Sequence, residues 1–386
     1  MPYQQMFEYF SPTRLIVGRG AIGRVPDLIR EQGVRRGLVV TDPGLVAAGV
    51  AGRVLDVLRG ADVPFAVYDR VEANPPFANV DEAYGVYVKE RCDYLIGLGG
   101  GSSMDVAKCA GAAAAHDGQW RDLIGIGKCR NRIPFLLCVP TTYGTGSEVT
   151  PFAVVTDVET KFKASIGSPL ITAHAGVLDP DLSVGLPLPI AGATGMDALT
   201  HAVESCVALT ANPISEGLAL HAIRLIGENL RQAAASDHND EATERMLIAS
   251  TVAGMAFSQT RLGNVHAMSH PVGGHFGVPH GVANAIILTR VMAYNSMACP
   301  QKFAEVARAL GEPLEGLTTM AAAAASVEAV RRLGRDVGIP DGLAKVGVKK
   351  EAIPVLAEDA MKSGNILINP RKTRIEDIIR LYEESM

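Results

Sequence analysis

Between Gly37 and Val139 the chain alternates short aliphatic runs with longer stretches of helical period. Gly37-Leu-Val-Val-Thr41, Pro64-Phe-Ala-Val-Tyr68, Tyr94-Leu-Ile-Gly-Leu98 and Pro134-Phe-Leu-Leu-Cys-Val139 read as strands, and 46–59 and 80–90 read as helices. Four or more strands separated by helices predict a largely parallel sheet. The pattern changes at Leu186-Pro-Leu-Pro189. From Met196 onward the runs are long, Ala-rich and Leu-rich, as in 216–228, 241–256 and 320–332, and no comparable β run appears. The chain therefore divides into an α/β domain over residues 1–186 and an all-helical domain over 187–386.

Two loops in the first domain carry ligand-binding chemistry. Tyr94-Leu-Ile-Gly-Leu-Gly-Gly-Gly-Ser-Ser-Met-Asp-Val-Ala-Lys108 is a strand running through three glycines into a helix start. Bare backbone N–H groups at a helix N-terminus make a cradle for pyrophosphate, where a plain strand-to-helix turn rarely needs three glycines. Gly97-x-Gly99-x-x-Ser102 lacks the last glycine of the common dinucleotide fingerprint, and no acid follows about 20 residues later. An acid instead comes earlier, at Asp42 in Val39-Val-Thr-Asp-Pro-Gly44. A carboxylate there would hold a ribose 2′-hydroxyl and repel a 2′-phosphate, favouring NAD over NADP; the same Asp before Pro-Gly also suits a simple turn. The second loop, Pro140-Thr-Thr-Tyr-Gly-Thr-Gly-Ser-Glu-Val-Thr150, gathers hydroxyls and glycines at the carboxyl end of a strand, where parallel sheets bind ligands.

The second domain holds two clusters of metal-binding residue types. Asp197 and His201 are four apart on a predicted helix and project from one face, an arrangement that alone also fits a helix acid beside a hydrogen-bonded His. The second cluster is His266, His270, His275 and His280, four of the nine histidines within fifteen residues. On one unbroken helix His266 and His280 would stand roughly 21 Å apart, too far to share an ion with bonds of about 2.1 Å. The chain must turn back between them, and Pro271, Gly273, Gly274, Gly277 and Pro279 are the residues expected to break it, with a new helix from Val282. One carboxylate with two or three imidazoles suits Fe(II) or Zn(II). Spacing leaves open whether His266 pairs with His270 or with His280.

Composition narrows the partners. With 36 Lys plus Arg against 41 Asp plus Glu the net charge is −5, and no basic run marks a nucleic-acid footprint. No stretch reaches the ~18 apolar residues of a membrane span, and the N-terminus lacks a basic segment followed by an apolar run. Six cysteines without a CxxC pair read as free thiols. The chain reads as a cytoplasmic protein.

Taken together, Gly99-Gly-Gly-Ser102, Pro140-Thr-Thr-x-Gly-Thr-Gly-Ser147, Gly195-Met-Asp-Ala-Leu-Thr-His201 and His266-x3-His270-Pro-x8-His280-Gly resemble the iron-containing (group III) alcohol dehydrogenases of the dehydroquinate synthase-like superfamily. The likeness runs essentially the whole chain. It implies an N-terminal dinucleotide-binding domain, a C-terminal helical domain and an active site in the cleft between them. By matching position it implies Asp197, His201, His266 and His280 as metal ligands and His270 as an unligated imidazole for proton relay. Cofactor contacts would fall on Asp42, Asn74, Gly100, Gly101, Ser102, Thr141, Thr142, Thr145 and Lys163, and the substrate pocket would be lined near Phe152, Phe257 and Asn365. The implied activity is NAD(H)-linked dehydrogenation of short primary alcohols or diols, or the reverse reduction of aldehydes and hydroxyaldehydes, with the metal as Lewis acid on the substrate oxygen. A homodimer or larger homo-oligomer is expected on the same ground.

Two residues depart from the family pattern. Tyr143 replaces the small residue of the Thr-Thr-Ala-Gly loop, close to where nicotinamide would lie, so it would narrow the substrate pocket or offer it a phenol. Arg261, five residues before His266, is larger than expected; a solvated Arg accounts for it, and the alternative is a second substrate class, a small anionic aldehyde bearing carboxylate, phosphonate or sulfonate. A glycerol dehydrogenase-like or dehydroquinate synthase-like enzyme would share the superfamily's fold, and the Asp197-x3-His201 pair separates this chain from both. A non-catalytic metal- or nucleotide-binding protein would need a blocked metal site, and a cleft lined by so many glycines speaks against it.

Overall fold

In the computed structural model, which describes residues 6–236 and 239–386, the alternating first half forms a parallel sheet. In chain order the strands are β1 (Arg14–Val17), β2 (Gly37–Val40), β3 (Phe65–Tyr68), β4 (Tyr94–Gly99), β5 (Gly125–Ile126), β6 (Phe135–Pro140), β7 (Phe152–Asp157), β8 (Phe162–Gly167) and β9 (Ala175–Leu178). Six of them pair in the order β1-β9-β6-β4-β2-β3, every pairing parallel. A smaller sheet, β5-β8-β7, contains the antiparallel hairpin of β7 and β8. The sequence pattern reveals neither this hairpin nor β1 and β9. Of the two missed strands of the main sheet, β9 opens on Ala-Gly, weak strand formers.

Both faces of the main sheet are covered, and alternation within each strand shows how. Leu38, Val40, Leu95, Leu136 and Cys138 pack in one apolar cluster, while Val39, Ile96, Leu98, Leu137 and Val139 pack in another. Successive side chains point to opposite faces, so a run apolar at every position is a strand buried on both sides. The helices of this part are α1 (Val25–Glu31), α2 (Pro43–Ala47), α3 (Val50–Gly60), α4 (Phe77–Lys89) and α5 (Gly101–Ala115). The single helix expected over 46–59 is in fact α2 and α3, because Gly49 takes a left-handed conformation (φ 74°) at the N-cap of α3.

From Val184 onward the described residues are helical: α6 (Leu188–Val207), α7 (Pro213–Ala235), α8 (Asp240–Thr260), α9 (Asn264–Phe276), α10 (His280–Ser296), α11 (Pro300–Ala309), α12 (Thr319–Asp336), α13 (Ile353–Met361) and α14 (Ile375–Glu384). Their apolar faces form one core that includes Leu199, Ile226, Met246, Ile287 and Leu356. Pro271, Gly273 and Gly274 do not break α9, contrary to the expectation from sequence. The helix runs through them without the hydrogen bond Pro271 cannot donate, and stops only at Gly277, whose φ of 67° ends it in the left-handed region. α10 then starts at His280 rather than Val282.

The described residues divide into two compact units, one of Ser11–Thr142 with Gly146–Ser183 and the other of those from Val184 onward with Tyr143–Thr145 and the described residues up to Phe10. A single cut between 186 and 187 therefore misses two short segments. Their contacts explain the grouping: Phe10 exchanges backbone hydrogen bonds with the Gln259 side chain (3.1 and 2.8 Å), and Tyr143 is buried in the helical core.

Candidate metal centre and cofactor loops

Four side chains of the helical unit converge. α6 supplies Asp197 and His201 from one face, α9 supplies His266 from its first turn, and α10 supplies His280 as its first residue. Asp197 Oδ1 lies 3.9 Å from His201 Nε2, 4.0 Å from His266 Nε2 and 3.8 Å from His280 Nε2, and all four donor atoms fall within 4.8 Å of one another. Two donors on opposite sides of an ion with bonds of about 2.1 Å stand about 4.2 Å apart, so the cluster has the dimensions of one ion's coordination sphere. The close passage of α10 over α6 depends on Gly281. A Cβ there would meet the Ala193 carbonyl oxygen at 2.3 Å and Asp197 Cβ at 3.3 Å.

Hydrogen bonds behind the ligands set which nitrogen faces inward. His266 Nδ1 donates to Glu204 Oε2 (2.7 Å), and Glu204 Oε1 accepts the backbone N–H of Val265 (2.7 Å). His201 Nδ1 lies 3.2 Å from the carbonyl of Gly144 and donates to it. Both rings then present an unprotonated Nε2, the form that ligates a metal. Burial pushes His266 well below the usual imidazole range, raises Asp197, and raises Glu204 to about 7 against three backbone N–H bonds that oppose the shift. A desolvated carboxylate among neutral imidazoles is a donor set that a divalent cation would stabilise. His270 stands beside the four, its ring centroid 5.3 Å from that of His280 and 6.1 Å from that of His266. Phe257 stacks on His201 at 4.4 Å, and Asn365 lies in a short 3-10 segment, Gly364–Leu367.

In the α/β unit the loops after β2, β4 and β6 share one edge of adjacent parallel strands, and strand order reverses between β2 and β4. Such a reversal opens a crevice where α/β sheets hold ligands. Gly99, with φ 142°, takes a conformation that strains other residues, and a Cβ on it would strike Ser103 Oγ at 2.8 Å. Gly100 caps α5 without a side chain, leaving the first N–H groups of Gly101 and Ser102 without side-chain capping. Gly100 also faces Thr142, whose Oγ1 would be 3.4 Å from a Cβ there. Asp42 follows β2 and spends Oδ1 as the cap of α2, accepting from Leu45 N–H (3.0 Å). Asn74 and Lys163 meet, Lys163 Nζ donating to Asn74 Oδ1, and burial lowers Lys163 to about 8. Thr141 follows β6 directly, while Thr145 groups with the helical unit.

Residues 12–180 match the family model for iron-containing alcohol dehydrogenase, and residues 191–386 match that for the C-terminal part of the same family. The chain belongs to the iron-containing alcohol dehydrogenase family. It is 43% identical over 383 residues to 1,3-propanediol dehydrogenase of Citrobacter freundii, covering 99% of each chain. The crystal structure of a 1,3-propanediol oxidoreductase, 43% identical, superimposes with a TM-score of 0.96 over 99% of this chain and 100% of the other. A sulfoacetaldehyde reductase from Bifidobacterium kashiwanohense, in complex with NAD+, is 30% identical with a TM-score of 0.89 and 99% coverage of both chains. As a member of this family the chain is an oxidoreductase with a candidate metal site of one Asp and three His.

Three features of this iron-type dehydrogenase escape a reading of motifs. Glu204 continues the ligand face of α6 in the i, i+4, i+7 series of 197, 201 and 204, and that periodicity is the signal that could have found it. The Gly144 carbonyl belongs to a loop whose motif points only to cofactor. Lys108, fully buried on α5, donates to Ser147 Oγ (2.9 Å) and to the carbonyls of Thr150 (3.0 Å) and Phe152 (2.8 Å), while Asp105 accepts from Ser147 Oγ (2.7 Å) and Val154 N–H (2.9 Å). Tyr143, which the sequence offered as narrowing the substrate pocket or lending it a phenol, packs in the helical core. It is 1% exposed, its hydroxyl has no hydrogen-bond partner among the described residues, and burial drives its pKa upward.

Proposed function

We propose that the chain is a metal-dependent, NAD(H)-linked alcohol dehydrogenase and aldehyde reductase acting on short primary alcohols, diols or hydroxyaldehydes. The observation that carries this reading is the convergence of Asp197, His201, His266 and His280, with two of the imidazoles oriented from behind by Glu204 and Gly144. These four would hold Fe(II), and Zn(II) is compatible with the same donors. When bound, the metal supplies Lewis acidity toward the substrate oxygen and NAD(H) exchanges the hydride.

The remaining work falls to the chain's own groups. The uncapped start of α5 at Gly100, Gly101 and Ser102 offers N–H groups to the pyrophosphate, with Thr141, Thr142 and Thr145 adding hydroxyls. Asp42 keeps its second oxygen for a ribose hydroxyl, and Lys163 with Asn74 forms a polar pair for the rest of the cofactor. Phe257, stacked on His201, gives the metal site an apolar wall, and with Phe152 and Asn365 it would line the substrate pocket. His270, outside the four ligands, is the imidazole available to pass a proton between substrate oxygen and solvent. Free thiols at all six cysteines fit a cytoplasmic enzyme, and we expect at least a homodimer. The test follows NADH and NADPH oxidation against short aldehydes, hydroxyaldehydes and anionic aldehydes, with protein stripped of metal and reloaded anaerobically with Fe(II) or Zn(II). Metal-dependent NADH oxidation is expected; no turnover in any metal form overturns the reading.

One observation favours a second substrate class. Arg261 caps α8 at φ 63°, ψ −163°, a backbone conformation that non-glycine residues rarely hold. Its half-buried guanidinium makes no ion pair or hydrogen bond among the described residues and lies against Gly364, beside Asn365. An unpaired cation one turn beyond Phe257 suits a small anionic aldehyde. In the same panel, preference for anionic over neutral aldehydes, abolished in Arg261→Ala, would establish this reading.

A further inference from the structure

Asn284 lies on α10 one turn beyond His280 and is completely buried. Its Nδ2 is 2.6 Å from Asp197 Oδ1, 3.0 Å from His266 Nε2 and 3.1 Å from His280 Nε2, so it touches the donor atoms of three of the four candidate ligands. Its Oδ1 is equally buried and has no hydrogen-bond partner among the described residues. An amide nitrogen carries two protons and here meets three acceptors. The two imidazole lone pairs are the ones a cation would take, which leaves Asp197 Oδ1, the shortest of the three contacts, as the acceptor an N–H can keep. The residue thus leaves its oxygen unsatisfied while its nitrogen serves the carboxylate.

We propose that Asn284 is a positioning residue of the metal centre: its N–H donates to Asp197 Oδ1 and holds that carboxylate in register with the imidazoles of His266 and His280. The inference rests on the metal reading of the four ligands. It concerns an amide that reaches the metal-facing atoms of the ligands from beside the site, whereas Glu204 holds His266 from behind through Nδ1, and residues that hydrogen-bond metal ligands typically set metal affinity within about 10–100-fold. The opposite orientation of the amide, with Oδ1 turned inward, would make Asn284 an oxygen donor to the ion, and the two orientations predict opposite outcomes for an isosteric carboxylate.

The experiment measures Co(II) binding to the full chain by competition with a chromophoric chelator and records the visible ligand-field bands of the bound ion. Wild type, Asn284→Ala, Asn284→Asp and Asp197→Ala are compared, each first shown to be folded by circular dichroism. Asn284→Asp keeps the size of the side chain but offers no N–H to Asp197. Both Asn284 variants should bind Co(II) about 10–100-fold more weakly, with altered bands. Affinity within about twofold of wild type in both overturns the proposal, as does tighter binding by Asn284→Asp, which would make the residue an oxygen ligand. Loss of fold in both variants assigns Asn284 to packing and also overturns it. If wild type itself binds no Co(II), or Asp197→Ala binds it as well as wild type, the metal reading fails instead.

Discussion

Glu204 and His266 form a buried carboxylate–imidazole pair, with Oε2 2.7 Å from Nδ1, and both side chains are almost wholly excluded from solvent. The pair fixes the proton on Nδ1 and so turns the lone pair of Nε2 toward Asp197, His201 and His280. Replacing Glu204 with Ala leaves a buried N–H without an acceptor and frees the ring to rotate. Metal affinity should fall by about 10–100-fold, checked by chelator competition. Gln at the same position should do less harm, since its oxygen still accepts from His266.

The candidate ligands and the neighbouring imidazole should separate in a metal analysis. Asp197→Ala, His201→Ala or His280→Ala should lose both bound metal and turnover. His270→Ala should retain the metal of the wild type and lose turnover by about 10²–10⁴-fold, the range for a proton-transfer group. Plasma emission of the purified proteins, read beside kcat, checks the split; loss of metal in His270→Ala would place it among the ligands.

Gly281→Ala tests the approach of α10 to α6. The new Cβ would press on the Ala193 carbonyl and push Asp197 away from His280. Overpacking of this kind destabilises by about 1–3 kcal/mol. Thermal unfolding should move down by several degrees, and metal affinity should drop with it.

Lys108→Met should lower stability by about 1–3 kcal/mol, because Ser147 Oγ and the carbonyls of Thr150 and Phe152 lose their buried donor. The loss reaches function as well, since Lys108 ties the segment carrying Ser147, Thr150 and Phe152 to the helix that starts at the glycine loop. Denaturant unfolding gives the stability change, and NADH titration gives the effect on the cofactor loops.

His174 supplies a pH dependence. Its Nδ1 accepts the backbone N–H of Leu136 (3.1 Å), and burial, with Arg132 beside it, pushes its pKa down from 6.5 to about 4. Between those values the unfolded chain binds a proton that the folded chain refuses, so folding stability from this group is complete above pH 6.5 and is lost as pH falls toward 4. His174→Asn, whose oxygen can accept from Leu136, should therefore lose less stability than wild type over that window. Melting temperatures of the two proteins from about pH 7.5 to about 4.5 check it, and parallel curves would refute it.

Much of the architecture was legible because burial imposes period. Short aliphatic runs alternating with helices announced a largely parallel sheet, and runs of helical period announced the second unit. The glycines before α5 and the Asp and His clusters were legible because phosphate cradles and metal shells demand particular residue types at short spacing. What stayed hidden depends on contacts made far along the chain. β9 opens on Ala-Gly, which does not announce a strand, and Pro271 sits inside α9 because packing holds a helix that local preference would end. Spacing left His270 and His280 as equal partners for His266. The family resemblance pointed to His280, and the fold shows the physical reason: the left-handed turn at Gly277 and the glycine contact of α10 with α6 bring His280, 14 positions along the chain, within reach of Asp197. The burial of Tyr143 in the helical core is set by packing, and Glu204 and Asn284 show their roles through partners 62 and 87 residues away. Residue types and their local order thus determined the class of chemistry. The tertiary structure decided which of them meet, because hydrogen bonds and coordination act over about 3 Å whatever the separation in sequence.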